Sequence, residues 1–234
     1  MRERRETVTV ADGGFDMDVW VPEAGRGPGL LLIQEIFGVG SYIRKVAEDL
    51  AGRGYVVGAP DLFWRLQRNW EAEHDQEGLA GSLQLVGRFD FETGVDDAEA
   101  ALGVLSGLPE VAGGAGLLGF CLGGSLAYTL AARTRPAAVV SFYGSSVHDT
   151  LHLIDRIEAP VQFHYGGKDP YIPRDKAAEV ERAAAGRDHL EVHVQEDAGH
   201  AFHNFEAPMF HHPEAAEAGW RLAMDFLARH LPVR

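Results

Sequence analysis

Residues 115–125 (Ala-Gly-Leu-Leu-Gly-Phe-Cys-Leu-Gly-Gly-Ser) constrain the fold of this chain more than any other stretch. A short apolar run ends in Gly119-Phe120-Cys121-Leu122-Gly123, and an apolar segment follows from Ser125 to Ala132. The pattern predicts strand, sharp turn and helix, in the G-x-S-x-G form of a nucleophile elbow with Cys in place of Ser. Gly119 and Gly123 remove the Cβ atoms that would collide as the helix folds back over the strand. Cys121 is then expected in a strained conformation above the sheet, at a helix N-terminus whose partial positive charge favours a thiolate. Taken alone, the pentapeptide leaves other readings open. A Gly-rich strand–helix turn can hold a dinucleotide, and a lone Cys among apolar residues is usually an inert core residue. Residues further along the chain have to decide.

The rest of the chain alternates strands with helices. Phe15, Met17, Val19 and Val21 alternate with Asp16, Asp18 and Trp20, which predicts an antiparallel hairpin of residues 6–10 and 15–21 around Asp12-Gly13-Gly14. Leu30–Ile33 is a continuous apolar run, as in a strand buried on both faces of a parallel sheet. Further strands are expected at 55–59, 138–142, 161–165 and 190–194. Helices are expected from about Ser41, from about Glu92, from Pro173 to Gly186, and over 214–230 with Trp220, Ala223, Met224 and Leu227 inward. Residues 61–91 mix Phe63, Trp64 and Trp70 with charges in no clean period. They are expected to form an irregular excursion above the carboxyl edge of the sheet. The expected fold is thus a single α/β domain over 1–234, with a doubly wound, mostly parallel sheet and an N-terminal antiparallel hairpin.

Composition limits the partners. Lys and Arg total 21 against 35 Asp and Glu, a formal net charge of −14, which argues against nucleic acid or an anionic membrane, since both demand a basic face. A single Cys excludes an intrachain disulfide, and no apolar run approaches the length of a membrane span. Both features point to the cytoplasm.

Three polar residues follow predicted buried strands: Cys121, Asp169 after Gly166-Gly167-Lys168, and His200 after Ala198-Gly199. Ligand and catalytic groups of open α/β sheets gather outside the carboxyl ends of the strands. The order nucleophile, acid, base is that of the α/β-hydrolase fold, and the separations leave room for two strand–helix units and then one. Asp169 could be a plain turn residue, and His200 is one of eleven histidines. Accident in all three positions at once is the weaker explanation.

Together with Gln34-Glu35-Ile36-Phe37-Gly38, Phe142-Tyr143-Gly144 and Ala198-Gly199-His200-Ala201-Phe202, these motifs resemble the dienelactone hydrolase (carboxymethylenebutenolidase) family, from about residue 6 to 230. The resemblance implies a Cys121–His200–Asp169 triad with an oxyanion hole from the backbone N–H groups of Ile36 and Leu122. It also implies that Glu35 holds the resting Cys121 as a thiol and accepts its proton when substrate arrives, and that Phe37 and Tyr143 touch substrate.

The chain departs from the family in its cations. Dienelactone hydrolase holds a substrate carboxylate with two arginines. Counting back from Phe89–Val95 puts Leu79 at the first of these positions, with Leu83 and Val86 where the family has aromatic pocket residues, and Asn204 stands at the second. Arg65, Arg68 or Arg88 are the candidates to substitute. Each lost charge-assisted bond is worth roughly 1.5–3 kcal/mol, so a neutral or apolar ester or lactone is expected to be preferred over the dienelactone carboxylate. His203 with Glu206, and His211-His212, lack metalloenzyme spacing and read as surface residues, so no metal is assigned. Gly113-Gly114-Ala115-Gly116 precedes a strand and is no dinucleotide loop. The expectation is a cofactor-free hydrolase of a small ester or lactone acting through an acyl-enzyme. The alternatives are a non-catalytic scaffold that binds a ligand, and a promiscuous hydrolase of other electrophiles such as phosphotriesters.

Overall fold

Side-chain alternation along Phe15–Val21 and the buried run at Leu30–Ile33 set the two kinds of pairing found in the sheet. In the computed structural model, which describes residues 1–234, β1 (Arg2–Val10) and β2 (Gly13–Val21) form the antiparallel hairpin. β3 (Gly27–Ile33), β4 (Val56–Pro60), β5 (Val111–Phe120), β6 (Val139–Phe142), β7 (Val161–Gly166) and β8 (Leu190–Gln195) run parallel. One eight-stranded sheet results, in the order β1-β2-β4-β3-β5-β6-β7-β8, with β2 joined antiparallel to β4. The single-domain α/β expectation holds.

The strand order positions the site. The chain passes from β3 outward to β4 and then returns to place β5 on the other side of β3. Connections therefore diverge between the carboxyl ends of β3 and β5, which opens a crevice there. Glu35 and Ile36 follow β3, and Cys121 follows β5, so both segments border it.

Six helices cover the sheet: α1 (Ser41–Gly52), α2 (Gln76–Val86), α3 (Phe91–Ser106), α4 (Leu122–Ala131), α5 (Arg174–Ala184) and α6 (Pro213–His230). Asp90 starts α3 by accepting the Thr93 N–H, and His212 starts α6 by accepting that of Ala215. On α6, Ala223, Phe226 and Leu227 are buried, whereas Trp220 and Met224 are only half-buried. Trp220 instead donates to Asp49 of α1 and lies against the His203 ring. A 3-10 segment, Val147–Arg156, links β6 to β7 and has no counterpart in the expected elements. No helix is long and apolar enough to cross a membrane.

Residues 61–91 are more ordered than their mixed composition suggests. Phe63 and Trp64 are buried, and the Trp64 indole donates to Asp97 on α3. Ala72 N–H donates to Phe37 O, and Glu71 bridges Gly38, fastening the excursion to the turn after β3. Gly38 is needed there: at φ +86° its absent Cβ would lie 1.7 Å from Trp70 O. α2 follows, capped by Asp75 accepting the Gly78 N–H. Leu79, Leu83 and Val86 stand at i, i+4 and i+7, a helical stripe. The stripe faces a cavity, while Ser82 and Leu85 are the buried residues, so no single apolar face announces the helix.

Candidate active site

The elbow is tight enough that no side chain fits at its glycines. A Cβ on Gly119 would lie 2.1 Å from Gly123 O, and one on Gly123 would lie 2.3 Å from Ile33 O. Cys121, between them, takes φ +53° and ψ −113°, outside the regions open to ordinary L-residues. Its N–H is bound by Phe142 O at 2.9 Å, so the strain is held by the neighbouring strand. The same rim holds two further non-glycine residues at positive φ, Tyr143 and Ala201. Sulfur is thereby presented at the N-terminus of α4, where unpaired N–H groups favour negative charge.

Asp169 and His200 reach this sulfur from the ends of β7 and β8. Asp169 is both turn residue and charge: its Oδ1 accepts from Tyr171 N (2.8 Å) and Ile172 N (3.0 Å). Its Oδ2 accepts from His200 Nδ1 at 2.7 Å. Because the carboxylate can only accept, the His200 proton sits on Nδ1 and Nε2 is free to take one. Nε2 stands 3.2 Å from Cys121 Sγ. Burial would lower the imidazolium pKa, but negative charge on Cys121 and the bond to Asp169 outweigh it and push it up to about 10. The ring is fixed between Tyr171 (centroids 5.1 Å apart) and Tyr143 (5.2 Å). All three residues expected to act together meet at one rim.

They open onto a cavity of about 170 Å³ lined by thirteen residues, ten of them hydrophobic. Glu35, Ile36, Phe37, Leu79, Leu83, Val86, Leu122, Cys121 and His200 are in its wall, as expected from the sequence. Ser145, Tyr171, Ala201 and Phe210 line it as well. Each follows a motif residue or sits in a loop without periodicity, so no sequence signal marks it. The backbone N–H groups of Ile36 and Leu122 have no acceptor within the chain.

Tyr143 and Asn204 do not line the cavity. Both are fully buried, since neighbouring polar groups draw them inward. The Tyr143 hydroxyl lies 3.5 Å from that of Tyr42, and Asn204 Nδ2 donates to Glu35 Oε1 at 2.7 Å. Glu35 is itself only 2% exposed, and the same Oε1 accepts from His74 Nε2 at 3.0 Å. Cys121 Sγ has its hydrogen bond with His200 and none with Glu35. His74 was not singled out by its sequence context; it sits just before the α2 cap and lies against Phe37, ring centroids 4.4 Å apart. His203 is no surface residue. It is 5% exposed, its Nδ1 lies 2.7 Å from the Tyr42 hydroxyl, and burial lowers its pKa to about 3.

The family model for dienelactone hydrolase matches residues 15–231. The chain belongs to the dienelactone hydrolase family. Carboxymethylenebutenolidase of Pseudomonas putida is 32% identical over 92% of this chain and 91% of its own. Two solved structures share the fold over 98% of both chains. One is a dienelactone-hydrolase-like promiscuous phosphotriesterase from metagenomic libraries (TM-score 0.82, 22% identity), the other the Anabaena variabilis dienelactone hydrolase (0.72, 21%).

No arginine or lysine lines the cavity of this dienelactone hydrolase family member. Leu79 is in the wall at one of the two expected cationic positions, and Asn204 is behind it at the other. None of the candidate substitutes reaches in. Arg65 pairs with Asp12 and Asp97, Arg68 donates to Gly14 O, and Arg88 is exposed.

Proposed function

We propose that this chain hydrolyses small, uncharged carboxylic esters or lactones through a Cys121 thiolate and an acyl-enzyme. The observation that carries the reading is His200 bridging Cys121 Sγ and Asp169 at the mouth of an apolar cavity. With His200 pushed up to about 10, the proton of the thiol already rests on Nε2, and sulfur attacks the carbonyl carbon as the thiolate. The resulting oxyanion is held by the Ile36 and Leu122 N–H groups, each worth about 3–4 kcal/mol in comparable sites. Collapse breaks the bond to the leaving oxygen, which receives the proton back from His200. Water, deprotonated by His200, then attacks the thioester carbonyl, and the acid departs as sulfur is expelled. Asp169 keeps the imidazole in the required tautomer and stabilises its charged form.

Substrate class follows from the walls. The cavity lies below the roughly 300–1,000 Å³ of sites for drug-sized ligands, and its one carboxylate, Glu35, is uncompensated by any arginine or lysine. A substrate carboxylate would meet like charge there, whereas a neutral acyl group would meet Leu79, Leu83, Val86 and Phe210. The same mostly apolar cavity, with no arginine or lysine in its wall, suits a neutral phosphotriester, which is the second reading.

A burst of nitrophenol from a nitrophenyl ester, one equivalent per chain and absent in Cys121→Ala, is the expected result. Undiminished turnover in Cys121→Ala would remove the nucleophile from the scheme. A panel with a nitrophenyl phosphotriester separates the two substrate readings. Faster turnover of dienelactone carboxylate than of a neutral short-chain ester would end the preference for uncharged substrates.

A further inference from the structure

We propose that His74 is a positioning residue that, with Asn204, pins Glu35 and so leaves Cys121 to His200, keeping the nucleophile ready without a substrate anion to release it. The inference rests on the reading of Cys121 as nucleophile and goes beyond it. Glu35 stands in the same cavity wall as the sulfur, so its reach toward Cys121 is what needs restraint. Both donors converge on one oxygen: His74 Nε2 at 3.0 Å and Asn204 Nδ2 at 2.7 Å, each to Oε1. Oε2 has no partner within the chain. Both donors are themselves held. His74 lies against Phe37, and Tyr42 meets it edge-on at 6.4 Å. Asn204 Oδ1 accepts the Glu206 N–H, which fixes its amide so that Nδ2 must face Glu35.

The chemistry of an unrestrained Glu35 is the reverse of what the reaction needs. A carboxylate that moved against the sulfur would accept the thiol hydrogen bond in competition with His200. It would also oppose thiolate by like-charge repulsion in a poorly solvated pocket. Two donors on Oε1 hold Glu35 in position. Neither His74 nor Asn204 touches the reacting atoms. Their effect passes through Glu35.

The single cysteine of the chain makes thiol reactivity a direct readout. Alkylation by iodoacetamide at pH 7 is followed by mass for the wild type, His74→Phe and the double variant His74→Phe/Glu35→Gln. Phe keeps the ring against Phe37 but removes the donor, and Gln at 35 removes the competing charge. We expect His74→Phe to slow alkylation about tenfold, the equivalent of one pKa unit, and the double variant to recover to within about twofold of wild type. A wild-type rate in His74→Phe overturns the inference. So does a slow rate that Glu35→Gln fails to restore, since the loss would then come from damaged packing. Failure of the esterase reading is a separate outcome, seen as nitrophenol release that survives Cys121→Ala.

Discussion

At the rim stand three of the four non-glycine residues with positive φ; backbone hydrogen bonds hold Cys121, Tyr143 and Ala201, and glycines that admit no Cβ flank the first two. Across the cavity, α2 presents Leu79, Leu83 and Val86 with no such constraint, and Leu83 is 50% exposed. Under the proposed function, the rim carries the reaction, because positions of sulfur and imidazole must hold to fractions of an ångström. Under the same proposal, selection of the molecule falls to the helix, because apolar contact is additive and undirected. Substitutions should therefore cost catalysis at the rim and specificity on the helix.

The largest expected effect is at the rim. In Asp169→Asn the imidazole tautomer is no longer enforced, and kcat/KM for a neutral ester should fall about ten-thousandfold, as in comparable triads; a loss under tenfold would mean that the carboxylate serves only the Tyr171 turn.

Behind the rim, His203 is held neutral with a pKa near 3 against 6.5 when unfolded. Burial is the main cause, with His211 adding to it and Asp49 opposing it. Below pH 6.5 the unfolded chain binds a proton that the folded chain refuses. Stability should fall by up to about 1.4 kcal/mol per pH unit until about pH 3. His203→Phe should flatten that acid limb in urea titrations at pH 7 and 4.5, although it leaves Tyr42 without its partner. An unchanged slope would assign the acid sensitivity to other groups.

On the helix, Leu79→Arg should shift the ratio of kcat/KM toward a carboxylate-bearing ester by about 10–100-fold, one charge-assisted bond of roughly 1.5–3 kcal/mol. No shift would place that carboxylate beyond the reach of α2. The smallest effect is expected for half-exposed Leu83→Ala: stability within about 0.5 kcal/mol and KM for apolar esters raised only a few-fold. A large fall in melting temperature would show α2 to be part of the rim's support, and would erase the contrast.

Legibility followed the same division. The strands after which Cys121, Asp169 and His200 come, and the collision that makes Gly119 and Gly123 necessary, were readable because steric exclusion leaves few residues to choose from. α2 is not legible in the sequence because its stripe of Leu79, Leu83 and Val86 serves a cavity and Leu85 serves the core, which blurs the period. His203 read as a surface residue because nothing local to it signals Tyr42 or Trp220.

By itself the sequence determined the strand–helix alternation, the elbow and the three residues that gather on its rim, since these rest on local sterics and short-range periodicity. Only the tertiary structure decided which partners Glu35 takes, that Tyr143 and Asn204 stand behind the cavity, and that no cation enters it. Those outcomes depend on side chains brought together from β3, the start of α2 and the loop after β8. Hydrogen bonding between segments so far apart leaves no period or spacing in the chain to read.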